Sequence, residues 1–297
     1  MKHQNMNILV TLDENYLSPL RVMLHSLFVN NKWAYIHVYL MHSSIPDIKL
    51  KELEKFIKSY QHTLKIIKVK DDIFEDAPKR LHITKETYYR LLVMDYLDER
   101  IERILYLDPD LIVNDSIKSF YHCNMEHAIF AGAADSFMNQ KYNPHKQSLG
   151  LPTTKTYINA GVLLINVKKL RRFTDTNKII DEIYNNYDKL KVQDQDLVNM
   201  LFYPYIKIVS NRFNRDANFQ NMKERWEYPL IRLKQCFQKQ NIIIHYLGPQ
   251  KPWKKNYGGK FLIEYWKYAR KVSDRKMKKI VKANFKTWMY DWIKVTD

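Results

Sequence analysis

Two carboxylates flanking a proline, Asp108-Pro109-Asp110, have the spacing that most directly suggests chemistry in this chain. They follow Ile104 to Leu107, an apolar run long enough for a buried strand and too short for a helix. A second apolar run, Leu111 to Val113, comes after them. A core strand therefore breaks at the surface with both acids in the break, which Pro109 stiffens by fixing φ and removing a donor. Carboxylates this close repel, and a bound divalent cation is the usual way to keep both ionised. The bland alternative is a solvated turn whose acids cap the next element. A second Asp-x-Asp, Asp194 and Asp196, lies further along the chain.

The elements that must position these groups read as alternating strands and helices. Asn7–Leu12, Tyr35–Met41 and Leu64–Val69 have strand character. Between them, Tyr16–Val29 and Pro46–Tyr60 have helical spacing, the latter with Ile48, Leu53, Phe56, Ile57 and Tyr60 on one face. That alternation predicts a parallel sheet with helices on both faces. Such sheets bind ligands outside the carboxyl ends of their strands, which puts Asp13 and Asn15 near Asp108 and Asp110. A helix is expected over Thr87–Leu97, with Arg90 near its start. Strands are expected over Ala128–Ala134, Tyr157–Val167 and Ile242–Tyr246, and helices over Ile179–Tyr187 and Asp194–Phe202. With six glycines in all, the chain has no Gly-rich phosphate cradle.

Composition bounds the class. A chain of 297 residues with 45% hydrophobic and 13% aromatic content can bury a substantial core. It contains no run long enough for a membrane span and no signal-peptide core near its start, and its two cysteines imply neither a disulfide framework nor a cysteine zinc site. A reducing, cytoplasmic location is expected. The charge is 49 basic against 32 acidic residues, and from Gly248 to Asp297 there are 14 Lys or Arg against 4 Asp or Glu, so +10 of the net +17 lies there. Such asymmetry suits nucleic acid, an anionic membrane surface or phosphate-bearing ligands, or else general solubility. From Arg275 onward, Met277, Ile280, Val281, Trp288 and Trp292 fall near helical spacing with five lysines among them. This reads as a basic amphipathic helix on an anionic bilayer, or as a helix packing its apolar face on the domain.

Six segments line up in order: ILVTLDENY at Ile8 to Tyr16, TYYR at Thr87 to Arg90, YLDPDLIV at Tyr106 to Val113, NAGVLLIN at Asn159 to Asn166, QDQDLVN at Gln193 to Asn199 and HYLGPQKPW at His245 to Trp253. The set resembles family 8 of the retaining glycosyltransferases, most closely its bacterial lipooligosaccharide α-galactosyltransferase branch, from about Ile8 to Trp253. The resemblance implies an α/β fold of the GT-A kind: a single domain over 1–272 with a Rossmann-like mixed central sheet flanked by helices, plus the basic helical tail over 273–297. It also implies a retaining hexosyltransferase using a UDP-sugar and Mn²⁺, with Mg²⁺ as the other candidate. UDP-galactose is favoured and UDP-glucose is the alternative donor.

Residue by residue, the resemblance carries the metal set onto Asp108, Asp110 and His245, a donor combination that suits octahedral Mn²⁺. Taken alone, His245 would read as a structural histidine. Gly248 and Lys251 match positions holding the diphosphate; Thr11, Asp13 and Asn15 match the uracil and ribose contacts; Arg90, Pro109, Asp135, Asn159, Ala160 and Gly161 match donor-site positions. Without the match, Asp13 reads as a turn former and Arg90 as a surface residue. Asp194 and Gln195 match the catalytic pair against the sugar's β face, where Asp194 serves as nucleophile or as electrostatic stabiliser of a same-face transfer. Tyr16 and His82 match the acceptor side, whereas Val192 stands where the galactosyltransferases have an aromatic residue and Leu247 replaces a cysteine beside the metal histidine, which leaves the acceptor open among a glycan, a glycolipid and a glycoprotein. Ser136 to Thr156 reads as a loop covering the site. The expected location is cytoplasmic, with the tail placing the protein on the inner face of the plasma membrane. A basic nucleic-acid-binding protein is the rival from another class. No recognition helix or RNP-type signature supports it, and no nucleic acid partner is expected.

Overall fold

The computed structural model describes residues 4–70, 86–140, 143–218 and 241–296, with side chains described as far as residue 287. In chain order the strands are β1 (Gln4–Thr11), β2 (Ala34–His42), β3 (Thr63–Lys68), β4 (Arg103–Leu107), β5 (Leu111–Val113), β6 (Phe130–Ala133), β7 (Val162–Asn166), β8 (Ile206–Val209), β9 (Arg215–Asp216) and β10 (Ile243–His245). The α-helices are α1 (Leu17–Asn30), α2 (Asp47–Lys58), α3 (Glu86–Tyr89), α4 (Val93–Tyr96), α5 (Lys118–Tyr121), α6 (Pro144–Ser148), α7 (Val167–Phe173), α8 (Thr176–Asn185), α9 (Gln193–Phe202), α10 (Leu262–Val272) and α11 (Arg275–Thr296). Among the described residues, no helix is long and apolar enough to cross a membrane.

The chain divides into two compact units. The first comprises Met1–Glu14, Trp33–Asp108 and Lys118–Asn211 and carries a seven-stranded sheet in the order β3-β2-β1-β4-β7-β6-β8. Strands β3, β2, β1 and β4 run parallel, β7 is antiparallel to both neighbours, and β6 pairs in parallel with β8, so the sheet is mixed. Because β7 runs the other way, the residues that precede it arrive at the edge where β4 ends: Leu107 pairs with Val162, and the Asp108 N–H donates to the Gly161 carbonyl at 2.8 Å. Near-continuous apolar strands fill the core, with Leu9, Tyr106, Phe130, Leu163 and Val198 among its buried side chains.

The second unit comprises Asn15–Lys32, Pro109–Ile117 and Arg212–Asp297. Its three-stranded sheet has the order β5-β10-β9, antiparallel then parallel. Val22 of α1, Ile112, Tyr246, Tyr265, Met277 and Val281 share one core cluster. The segment expected as a separate tail, 273–297, thus groups with 212–272. Met277 and Val281 of α11 are buried, and Phe285 stacks on Trp266.

Three elements differ from the sequence expectation for identifiable reasons. The helix over Thr87–Leu97 breaks into α3 and α4, because Arg90 Nε donates to the Thr87 carbonyl at 3.0 Å and takes the acceptor that Leu91 would use in a continuing helix. The Leu91 and Leu92 N–H groups turn instead to Tyr88 and Tyr89. The strand over Tyr157–Val167 begins only at Val162, because the Gly161 N–H donates to Asn159 Oδ1 at 3.0 Å and curls Asn159–Gly161 off the ladder. In α2 the buried face is Leu50, Leu53 and Ile57, while Ile48, in the first turn, is 64% exposed.

Candidate active site

In the first unit, candidate groups converge at the edge where β1, β4 and β6 end and β7 begins. Thr11 closes β1, and its hydroxyl lies 3.3 Å from the Tyr106 hydroxyl. Tyr106, fully buried on β4, donates to Asp108 Oδ1. Arg90 is 6% exposed and lies with its guanidinium 3.9 Å above the Tyr106 ring. From there it donates through Nη1 to the Ala160 carbonyl at 2.7 Å. Its Nη2 is 3.3 Å from Asp108 Oδ1, and its Nε is 3.0 Å from Asp194 Oδ2. A single cation thus stands between two carboxylates. The stacking and the carbonyl contacts fix its plane.

The first turn of α9 supplies Asp194 and Gln195. Gln195 bridges two loops, accepting from the Ala160 N–H at 3.0 Å and donating to Asp135 Oδ2 at 3.2 Å. Asn159 Nδ2 donates to the same Asp135 oxygen at 3.3 Å, and Asp135 Oδ1 accepts from the Phe137 and Met138 N–H groups. Asp194 is 3% exposed. Burial pushes its carboxyl up to about 7; the Arg90 guanidinium opposes that shift and the Asp108 charge adds to it.

In the second unit, Asp110 sits between an imidazole and an ammonium group. His245 Nε2 is 3.0 Å from Asp110 Oδ1, and Lys251 Nζ donates to Asp110 Oδ2 and, at 2.6 Å, to the Tyr246 carbonyl. Burial works against ionisation of Asp110, but His245 and Lys251 together hold its carboxyl well below the usual carboxylate range. The other ring nitrogen, Nδ1, lies 2.9 Å from Asn214 Oδ1. An acceptor there favours a proton on Nδ1, which leaves Nε2 as the nitrogen that a cation would meet. Gly248, at φ +73, takes the left-handed backbone that glycine adopts without strain.

The residue types fit a cation. Asp108, Asp110 and His245 each offer one ligand atom to a group that could hold a metal ion, and Asp108 and Asp110 are joined through Pro109. The structure also brings Thr11, Arg90, Asp108, Asp135, Asn159, Ala160, Gly161, Asp194 and Gln195 into one network in the first unit. In the second unit it brings together Asp110, His245 and Lys251. Asp13 stands two residues past the end of β1, Asn15 is exposed, and the Tyr16 ring meets Trp253 edge-on at 6.3 Å. His82 lies outside the described residues, as do Lys141 and Cys236. Sequence reasoning missed Tyr106 and Asn214, which hold Asp108 and His245. Tyr106 stood inside a recognised motif, whereas no local pattern marked Asn214.

Comparison with known proteins bears on the family and the fold. The family model of Glycosyl transferase family 8 matches residues 7–257. A lipopolysaccharide 1,3-galactosyltransferase of Salmonella typhimurium is 23% identical, over 90% of this chain and 78% of its own. A lipopolysaccharide 1,2-glucosyltransferase of Escherichia coli is also 23% identical, over 85% of this chain and 74% of its own. The crystal structure of the galactosyltransferase LgtC with donor and acceptor sugar analogues superposes with a TM-score of 0.77 at 26% identity, covering 91% of this chain and 97% of LgtC. The fold is therefore the GT-A-like α/β arrangement of LgtC, with its mixed central sheet flanked by helices.

The raised Asp194 carboxyl predicts a pH signature in metal-free protein. Its folded value of about 7 exceeds the unfolded one, so the folded state binds an extra proton between about pH 4 and about pH 7. The stability it contributes is complete below about pH 4 and is lost as pH rises to about 7, at up to about 1.4 kcal/mol per pH unit. Urea unfolding in chelator should show this slope in wild type and not in Asp194→Asn. Parallel curves would remove the shift.

Proposed function

The chain belongs to glycosyl transferase family 8, and from that premise we propose that it is a retaining hexosyltransferase moving galactose from UDP-galactose to a glycan acceptor with Mn²⁺. The observation that carries this reading is the Asp108-Pro109-Asp110 turn. One of its carboxylates is held by Arg90 and Tyr106, the other faces His245 and Lys251. Asp108, Asp110 and His245 would hold the cation, which when bound stabilises negative charge on the leaving diphosphate. Lys251 neutralises Asp110 in the cation-free protein, so cation binding would free its ammonium for a phosphate oxygen.

Thr11, Asp13 and Asn15 are assigned to the uridine, and Gly248 to close backbone approach by the diphosphate. Asp135, Asn159, Gly161 and Gln195 are assigned to the hydroxyls of the transferred sugar, which their shared hydrogen bonds hold in one orientation. Asp194, flanked by Arg90, is assigned to stabilising positive charge on the sugar as the bond to UDP breaks. Acceptor attack then takes place on the face that UDP leaves, and the departing phosphate takes the acceptor's proton.

The relatives named above transfer different hexoses at equal identity, so UDP-glucose remains the second donor; the LgtC likeness favours galactose. The acceptor is assigned to the glycan, glycolipid or glycoprotein class. The basic α11 is assigned to an anionic membrane surface facing the cytoplasm. Lys276, Lys279, Lys282 and Lys286 are exposed along it, while Met277 and Val281 face the core.

A hydrolysis screen of UDP-sugars with Mn²⁺ is expected to single out UDP-galactose, and Asp108→Ala should abolish that activity. Full activity of the variant, or of wild type in chelator, contradicts the reading. Deleting α11 would strip core residues, so the membrane assignment is tested with the four exposed lysines changed to glutamate. Binding to vesicles containing phosphatidylserine should fall at least ten-fold with hydrolysis retained; unchanged binding removes the assignment.

A further inference from the structure

Asp196, the second acid of the Asp194-Gln195-Asp196 run, is fully buried, and its two oxygens meet Tyr157, Val192 and His145. Its Oδ1 accepts from the Tyr157 hydroxyl at 2.6 Å. Its Oδ2 accepts from the Val192 N–H at 2.6 Å and lies 2.8 Å from His145 Nε2. The Val192 contact closes the entry to α9, where Val192 has no side-chain cap. Between them, Gln193 has φ +53, a left-handed conformation costly for a residue with a Cβ. The residue directly before Asp194 is thus strained, and the Asp196 carboxylate fastens the turn that strains it.

His145 comes from α6, in a segment that leaves the sheet at Asp135 and returns at Tyr157. The two ends are joined by the Asp135 N–H donating to the Tyr157 carbonyl at 3.0 Å. The neighbouring Lys146 is 8% exposed and donates to the Lys155 and Thr153 carbonyls, which ties the segment to itself. Met138, Leu149, Leu151 and Tyr157 form its own small core. Adjacent residues therefore have separate tasks: Lys146 holds the segment together, and His145 joins it to α9.

We infer that His145 is a positioning residue, which through Asp196 clamps the strained Gln193 turn and so aims Asp194 and Gln195 at the transferred sugar. This rests on the donor-site role proposed for those two residues. The group that is aimed is the sugar-facing pair, so loss of the clamp should affect the hexose and spare the nucleotide. A one-ångström misplacement of such groups costs about ten- to a hundred-fold in rate.

The test compares wild type, His145→Leu and His145→Gln, whose amide can still donate to Asp196. In ligand-free protein, amide hydrogen exchange at Val192–Gln195 should accelerate at least ten-fold in His145→Leu, with the sheet amides unchanged. Unchanged exchange there, or faster exchange throughout, overturns the clamp whatever the enzyme does. With Mn²⁺ present, His145→Leu should lower kcat for UDP-galactose hydrolysis about ten-fold. The Kd for UDP should stay within two-fold, and His145→Gln should recover most of the loss. Equal losses toward UDP and UDP-galactose would mark a merely structural histidine and overturn the positioning role. A wild type inert toward every UDP-sugar defeats the functional reading, while the exchange measurement still decides the clamp.

Discussion

The Arg90 guanidinium holds together two carboxylates that would repel each other. It lies over the Tyr106 ring, is bound by the Thr87 and Ala160 carbonyls, and meets both the Asp108 and the Asp194 carboxylates. Burying such a group is costly unless its donors find partners, and here the Thr87 and Ala160 carbonyls accept from it, with the Asp108 and Asp194 carboxylates within 3.3 Å. The count also leaves one negative charge in excess, since one cation meets two acids. Protonation of Asp194 near pH 7 is one way to relieve it, and a bound divalent ion is another. The same demand explains why the predicted helix breaks. Arg90 takes the Thr87 carbonyl that Leu91 would use, and the Leu91 N–H turns to Tyr88.

The two acids of the Asp-Pro-Asp turn have different surroundings. Asp108 is held by a phenol and a guanidinium, neither of which deprotonates in the physiological range. Asp110 is held by a lysine and a histidine, and the lysine ammonium occupies the oxygen Oδ2. The proposed cation would thus find one ligand fixed in advance and one that must exchange partners. That division suits a group that binds and releases with each substrate more than a permanent structural ion.

Much of this was legible in the sequence because apolar strands ending in short polar turns leave few arrangements. Ile104 to Leu107 became β4, and Asp108 followed it at the sheet edge. Arg90 was less legible: composition favoured a surface residue, and only the match to a family motif placed it at the site, where it is buried. The Asn159–Gly161 turn lies inside the expected strand Tyr157–Val167, because the apolar run continues past it and the Asn159 side chain that forms it acts within three residues. The sequence shows Asp196 only as the end of a second Asp-x-Asp, since its partners His145 and Tyr157 lie 51 and 39 residues away and come together only through the fold. Asn214 left no signal for the same reason. The tail showed both of its readings in sequence, and the packing of Met277 and Val281 accounts for its first turns.

The central claim is that Asp108, Asp110 and His245 grip one divalent ion. Electron paramagnetic resonance titration of Mn²⁺ measures it without any assumption about the sugar. One ion per chain is expected, bound more tightly with UDP present and at least ten-fold more weakly in His245→Gln. Binding that is absent in wild type, or that survives unchanged when both aspartates and the histidine are replaced, would contradict the account.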